Sequence, residues 1–424
     1  MSEVALFEAE AYYQEPIARV NLQKDPYRDW ESPIKPWPSD ELPIVVNHER
    51  VDKVLDKIMD AYWAKEPPYN LTEARPPHIP ENMPKTLERG SKDHAMFHFV
   101  CCYYMRGGIK SYDAYTRLGQ VYDARPDLFD CKKVVANLGE EVAEEPIDTE
   151  KLAEEFEADT MIDHDVTGID PMSRRSMVEQ DIAATLKHFG LGFQQTTARL
   201  WVENAVRMTE RYDGDPREIF KGVDTYEAAV QRIKNDKRGG GFGGFQEKMV
   251  SMITYFLMDE GMIDSFKFPI PVDIHVLRVS ILNGLIEFPG VPYNTDLMRP
   301  QTTATLRDVY LNYAVRKDVD PLRLCDAVWL LSGLLCSKAP GNWTIEPKRR
   351  FGRDGRRTVL IVPEENPNNP AQMAAYNNSC RICPVEETCT GRIGSADYYI
   401  AGALAVRGER LRFPDNSQEK LFSS

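Results

Sequence analysis

Residues 377–391 read NNSCRICPVEETCTG. Cys380, Cys383 and Cys389 stand there in a C-x2-C-x5-C array. The chain holds only eight cysteines in 424 residues, so the cluster is metal-ligand spacing rather than a disulfide framework. The paired C-x2-C…C-x2-C rhythm of a zinc ribbon is absent. A four-thiolate site needs one more cysteine, and Cys336 is the best placed. It closes PLRLCDAVWLLSGLLC (321–336), an apolar stretch predicted to be a helix, where a side chain can turn toward a following loop. Zinc and an iron–sulfur cluster both accept four thiolates, and spacing alone leaves both open. Cys101, Cys102, Cys131 and Cys325 read as small buried hydrophobes.

Upstream of the array the pattern is helical. In GGGFGGFQEKMVSMITYFLMDEG (239–261), Met249, Met252, Ile253, Phe256 and Leu257 fall at i, i+3, i+4, i+7 and i+8, an amphipathic helix entered from a glycine-rich turn. FPIPVDIHVLRVSILNGL (268–285) predicts an extended entry and a helix starting near Asp273. Residues 92–130 read as helix, Gly-Gly break, helix. Ser176 and Glu179 suggest a capping box for a helix ending at Gly190. Further helices are expected over 196–212, from Pro216, and over 48–65, with Val51, Leu55, Ile58, Met59 and Tyr62 on one face. Strand-like runs are scarce; 343–363 suggests one hairpin turning near Asp354-Gly355. The class is mostly α.

The expected organisation is a Pro-rich extension with one helix (1–90), then a helical core (91–335) with an acidic insertion at 136–175. A cysteine-loop region (336–400) with a basic insertion at 340–379 and a tail (401–424) follow. Apolar content of 42% allows a real core, and no apolar run reaches membrane-spanning length. The acidic start, MSEVALFEAEAYYQEP, does not resemble a signal peptide, so a cytoplasmic location is expected.

Net charge is −14, which argues against nucleic acid until its distribution is examined. Residues 139–165 hold twelve acids and one lysine, so this segment carries −11 and leaves −3 for the rest. It reads as a solvated insertion. EPKRRFGRDGRR (346–357) carries six basic residues, among them Arg349 and Arg350, and is either a solvated face or a contact to an anion.

The cysteine array resembles the [4Fe-4S] loop of helix-hairpin-helix DNA glycosylases of the endonuclease III type, spaced C-x6-C-x2-C-x5-C. The last three positions match Cys380, Cys383 and Cys389, and Cys336 follows an apolar helix as the family's first cysteine does. The departure is the gap of 43 residues between Cys336 and Cys380. Such an insertion is tolerable where its ends lie close together, because closure entropy grows slowly with length.

A second match is PVDIHVLRV (271–279), similar to the family's PVDTHV-x-R-V. By this resemblance Asp273 is the active-site carboxylate, able to stabilise positive charge on a deoxyribose as the base leaves, or to activate a nucleophile. Aspartate is also an ordinary helix N-cap, and both roles can hold. His275 and Arg278 read as structural or phosphate-facing. The third match is partial. The family's hairpin, G-x-G-x-K, aligns either with Gly241-Phe242-Gly243, putting Phe245 at the lysine, or with Gly244, Gln246 and Lys248. The first register keeps the backbone geometry that lets N–H groups approach a phosphate. Phe245 cannot form a Schiff base, whereas Lys248 sits nearly one turn onward. In the family an interhelical loop pushes a side chain into the gap left by a flipped base; in YYMRGGIKSYDAY (103–115) the resemblance gives that role to Met105 or Arg106, the alternative being that the Gly-Gly is a simple helix break.

The resemblance implies a two-lobed helix-hairpin-helix glycosylase-like fold with an iron–sulfur loop and a small inserted β-hairpin. It implies a [4Fe-4S] cluster as cofactor, zinc being the runner-up, and DNA as partner, with no membrane and no named protein partner. The expected function is monofunctional base excision on a flipped nucleotide. A rival enzyme reading is phage-type thymine hypermodification, which attaches an amino acid or polyamine to activated 5-hydroxymethyluracil in DNA. A third is a non-catalytic DNA-binding relative.

Overall fold

A computed structural model describes residues 41–71, 74, 83–105, 111–139, 173–234, 241–291, 297, 299–338, 344–345, 359–360, 374, 377–389, 398–401 and 404–407. Among them are twelve α-helices and three two-stranded antiparallel pairs, so the mostly-α class holds. The chain divides into two compact units, one of residues 76–271 and one joining 1–75 to 272–424.

The 76–271 unit is built on α2 (Lys92–Tyr104), after α1 (His48–Ala64) of the other unit. Every residue of α2 from His94 to Tyr104 is buried, the signature of a helix apolar on all sides and surrounded by others. Ser91 caps it by accepting the His94 N–H. Around it lie α3 (Ser111–Ala124), α4 (Cys131–Leu138), α5 (Arg174–His188), α6 (Gln194–Tyr212), the short α7 (Pro216–Ile219), α8 (Tyr226–Ile233) and α9 (Glu247–Asp259). The filling is aromatic: Phe99 meets Phe245 at 4.6 Å and Phe242 at 5.0 Å between ring centroids, and Phe129 meets Trp201 edge-on at 5.1 Å. The Trp201 indole N–H donates to the Leu128 carbonyl at 2.8 Å, leaving no buried donor orphaned there. The α5 cap is Ser173, whose hydroxyl accepts the Ser176 N–H. The expected Ser176/Glu179 box is therefore corrected: the helix starts three residues earlier, and Glu179 pairs with Arg175 instead.

In the other unit, β1 (Val45–Val46) pairs with β2 (Ile286–Glu287), Val45 opposite Glu287 and Val46 opposite Ile286. Its helices are α1, α10 (Ile274–Leu282), α11 (Pro300–Arg316) and α12 (Pro321–Leu334). α1 buries Val51, Val54, Leu55, Ile58 and Met59, each contributing about 1.5–3 kcal/mol. The helix expected as part of an extension is thus a wall of the unit containing Asp273, and the expected core of 91–335 is divided near residue 271. Burying that stripe against partners distant in sequence outweighs the proline-rich surroundings. Tyr313 and Lys317 reach Asp56 on α1, each at 2.8 Å.

The expected hairpin near 343–363 is seen at its base. β3 (Thr344–Ile345) pairs antiparallel with β4 (Val359–Leu360), and β5 (Tyr398–Ala401) pairs likewise with β6 (Leu404–Arg407). The acidic stretch from 140 to 172 and residues 1–40 lie outside the described residues, as do Arg106, Arg349 and Arg350. No helix among the described residues is long and apolar enough to cross a membrane.

Candidate functional site

The cysteine loop is two 3-10 turns in tandem, Cys380–Ile382 and Glu386–Thr388. Each ends on a cysteine with nearly the same backbone: Cys383 at φ −79°, ψ 129° and Cys389 at φ −79°, ψ 131°. The Cys383 N–H closes the first turn on the Cys380 carbonyl at 3.0 Å, which is what C-x2-C spacing permits. Val385, between the turns, is buried and anchors the loop.

Three polar contacts tie the loop to the rest of its unit. Thr388 Oγ1 donates to Asn283 Oδ1 just past α10, at 2.9 Å. Arg50 of α1 donates to the carbonyls of both Asn283 and Thr388, at 2.8 and 2.9 Å. Lys57 pairs with Glu387 at 2.9 Å on the exposed side.

Cys336 opens a 3-10 turn directly after α12. Burial pushes the Cys383 thiol well up, and the nearby sulfurs of Cys336, Cys389 and Cys380 push it further. Burial also raises Cys336, against the pull of Arg278. The other three cysteines expected as ligands therefore lie near enough to Cys383 to act on it, and none of the four is in a disulfide. Without a cation such thiols hold their protons; a metal centre would draw them off.

Arg278 on α10 is the cation built into this surrounding. It is 7% exposed, and its guanidinium donates to Ser332 Oγ at 3.4 Å. Burial lowers its pKa, opposed by Cys336 and Asp273. Its Nε–H is buried with no acceptor. An orphaned donor on a cation beside Cys336 fits an anionic four-thiolate centre, which would supply the missing charge. Of the two expected roles for Arg278, structural or phosphate-facing, its burial favours the structural one, with Cys336 near enough to act on its charge. Tyr69 lies close enough to Cys383 and Cys336 for both to raise its pKa, which burial raises most, and its hydroxyl donates to the Ala327 carbonyl at 2.9 Å.

Asp273 is the N-cap of α10. Its Oδ1 accepts the N–H groups of His275 and Val276 at 2.8 and 3.2 Å. Among the described residues nothing donates to Oδ2, and the side chain is half-buried. One oxygen thus fixes the carboxylate, and the other carries no hydrogen bond among the described residues. His275 packs against Trp329 with ring centroids 5.5 Å apart, its Nδ1 lying 3.1 Å from Ser332 Oγ, the same hydroxyl that Arg278 reaches.

The glycine-rich turn belongs to the 76–271 unit. Gly241 and Gly243 are needed, but for close approach. A Cβ at Gly241 would strike the carbonyl oxygens of Ile233 and Lys234, and one at Gly243 would strike Leu200. The positive φ lies at Gly244 (+82°), a glycine position of the second register, so the left-handed backbone argument does not favour the first. The turn's N–H groups divide in two. Phe242 donates to the Ile233 carbonyl at 2.7 Å and Gly243 to Asn204 Oδ1 at 2.8 Å. Those two are consumed internally. The N–H groups of Gly244, Phe245 and Gln246 have no acceptor among the described residues, and they lead into the start of α9. The Phe245 side chain is buried against Phe99 and Tyr103, so only its backbone can meet a ligand. Lys248 is half-buried and lies near Cys102. Met105 is buried, which removes it as a base-gap wedge.

Sequence reading missed Asn204 and Arg207 of α6. Asn204 grips Gly243 at both its N–H and its carbonyl, and Arg207 donates to the Gly241 carbonyl while pairing with Glu203. Neither residue stands in a motif, and only their contacts to the turn reveal them. A cavity of about 300 Å³ lined by Leu128, Val134, Asn137, Arg174, Met177, Val178 and Asp181 contains none of the predicted site residues.

Comparison of the chain with protein-family models gave no match, and neither did a search among curated proteins.

Proposed function

We propose that this protein is a DNA-acting enzyme of the helix-hairpin-helix glycosylase type, using Asp273 on a nucleotide taken out of the base stack. The observation that carries the reading is the arrangement along α10. At its start, a capped carboxylate keeps one oxygen unengaged. One turn on, a buried arginine with an unsatisfied Nε–H interacts with both Asp273 and Cys336. The carboxylate proposed for chemistry and the arginine nearest the proposed four-thiolate centre thus share one helix, which supports reading the two together.

The centre is proposed as [4Fe-4S], with zinc as runner-up. One tetrahedral zinc holds its sulfurs about 3.8 Å apart, given Zn–S bonds of about 2.3 Å. Among the described residues the one trio of ligand atoms lying within 4.8 Å of one another is His94, His98 and Glu260, not a set of cysteines. The cluster is preferred to zinc on the resemblance of the Cys380, Cys383 and Cys389 spacing to the glycosylase loop. When bound, the cluster supplies shape and charge to the loop; the chain's own residues do the rest.

In base excision, Asp273 Oδ2 faces the positive charge that develops on the deoxyribose as the base departs, and it takes the proton from the attacking water. The unengaged N–H groups of Gly244, Phe245 and Gln246, with Lys248, offer a contact to a backbone phosphate. With Phe245 at the lysine position, strand cleavage through a Schiff base is not part of the reading. The second reading, phage-type thymine hypermodification, is favoured by the acidic balance and the long insertions at 136–175 and 340–379; Phe245 fits both readings.

Anaerobically purified protein is expected to be brown, with broad absorption near ~400 nm. Colourless protein holding zinc on its cysteines would remove the cluster from the reading. Duplexes carrying damaged or modified bases, assayed for abasic sites, test excision. The mass of a hydroxymethyluracil duplex after incubation with its kinase, ATP and an amine donor tests transfer. Absence of both products, with DNA binding intact, leaves only the non-catalytic alternative.

A further inference from the structure

We propose that His94, His98 and Glu260 bind one divalent transition-metal ion of the zinc class, separate from the cysteine array. The three ligand atoms lie within 4.8 Å of one another. His94 and His98 stand four residues apart on α2, so their rings leave the same face, the spacing by which two histidines chelate a metal from one helix. Their Nε2 atoms are 3.0 Å apart. Zinc–nitrogen bonds of about 2.0–2.1 Å in a tetrahedral site place two ligand nitrogens about 3.3–3.4 Å apart, so the pair needs to open by only about 0.3 Å. Glu260 caps the far end of α9, and its side chain is 8% exposed.

The surroundings suit a resident ion. Both imidazoles are fully buried. Nδ1 of His98 lies 2.8 Å from the Tyr115 hydroxyl, and a proton on Nδ1 leaves Nε2 with its lone pair facing the site. Arg89 holds Glu260 at 2.6 Å by one oxygen, leaving the second for a metal. His98 stacks on Phe256 at 5.3 Å, which fixes its plane.

One contact opposes binding. His94 Nδ1 accepts the Gly90 N–H at 2.9 Å, which puts the proton on Nε2 and directs it at His98. Metal binding needs that proton moved to Nδ1 and the Gly90 bond given up. Gly90 is exposed, so its N–H can turn to water. The loss of a bond of about 1 kcal/mol is small against the binding of a structural zinc. The ion would staple α2 to the end of α9, the helix that follows the glycine-rich turn. Three protein ligands leave a fourth position for water.

The full-length, iron-loaded protein is dialysed against zinc and then against buffer, and metals are counted. One zinc per chain is expected in addition to iron, and it is lost in His94→Gln/His98→Gln. No retained zinc, or zinc retained equally by the double variant, overturns the proposal. Zinc X-ray absorption on the wild-type protein covers the case in which the variant does not fold. A nitrogen and oxygen shell at about 2.0–2.1 Å is expected; a shell of sulfur alone, at about 2.3 Å, overturns the site. Iron content is read in the same samples, so failure of the cluster and failure of this site are separate results.

Discussion

Thr388 Oγ1 and Asn283 Oδ1 are 2.9 Å apart although 105 residues separate them in the chain. Thr388 ends the second cysteine turn and Asn283 caps α10, so this bond joins the ligand loop to the helix that begins at Asp273. Both residues are buried. Thr388→Val keeps the shape and removes the donor, leaving a buried amide oxygen unpaired. A loss of about 1–3 kcal/mol is expected in urea unfolding. Iron should also leave the variant faster under a chelator, because Cys389 is the next residue.

Asp273 carries two roles that substitution can separate. Asparagine is as good an N-cap as aspartate, so Asp273→Asn should fold with stability within about 0.5 kcal/mol of wild type. It cannot accept a proton or oppose developing positive charge, so turnover should fall at least ~100-fold with DNA binding kept. Asp273→Ala loses the cap as well and should cost a further 0.5–2 kcal/mol or about that. Unchanged turnover in the asparagine variant would end the carboxylate's proposed role.

What the sequence made legible was local. The stripe from Met249 to Leu257, the cap at Asp273 and the position of Cys336 after an apolar helix all follow from spacing within one element, and the structure bears out each placement. What stayed hidden depends on partners far along the chain. Arg278 read as either structural or phosphate-facing, and only its burial beside Ser332 favours the first. The glycine turn looked like a set of free N–H groups until Asn204 and Ile233 took two of them. His94 and His98 stand four apart in the sequence but drew no reading there, because Glu260, which gives them meaning, comes only after six further helices, the glycine turn and α9.

The two buried glycines of the turn should differ in tolerance. A methyl at Gly241 meets backbone carbonyls of α8 and the residue after it, which cannot move without breaking the helix end. A methyl at Gly243 meets the tip of Leu200, a side chain that can rotate, with Asn204 Oδ1 next nearest. Gly241→Ala is therefore expected to cost about 2–3 kcal/mol or more, and Gly243→Ala about 1–2 kcal/mol. Thermal unfolding gives the order. In a salt titration of DNA binding, Lys248→Gln should lower the slope by about 1 while leaving stability nearly unchanged.

Alkaline stability should report on Cys131. Burial at the start of α4 pushes its thiol from 9.0 up to about 12, with its Sγ 3.6 Å from Met96 Sδ. Between those two values the unfolded chain has given up the proton and the folded chain still holds it. The folded state then binds more protons, and stability falls as pH rises. The contribution is whole below pH 9, shrinks across the window from 9 to about 12, and is gone above it. At about 1.36 kcal/mol per pH unit, Cys131 accounts for up to about 4 kcal/mol of that loss. Cys131→Ala should be less stable than wild type by about 1 kcal/mol at pH 8, where only packing is lost. Its urea midpoint should then decline less steeply from pH 9 upward, so that the two curves converge and then cross before pH 12. Parallel curves would show that the Cys131 proton is not linked to folding.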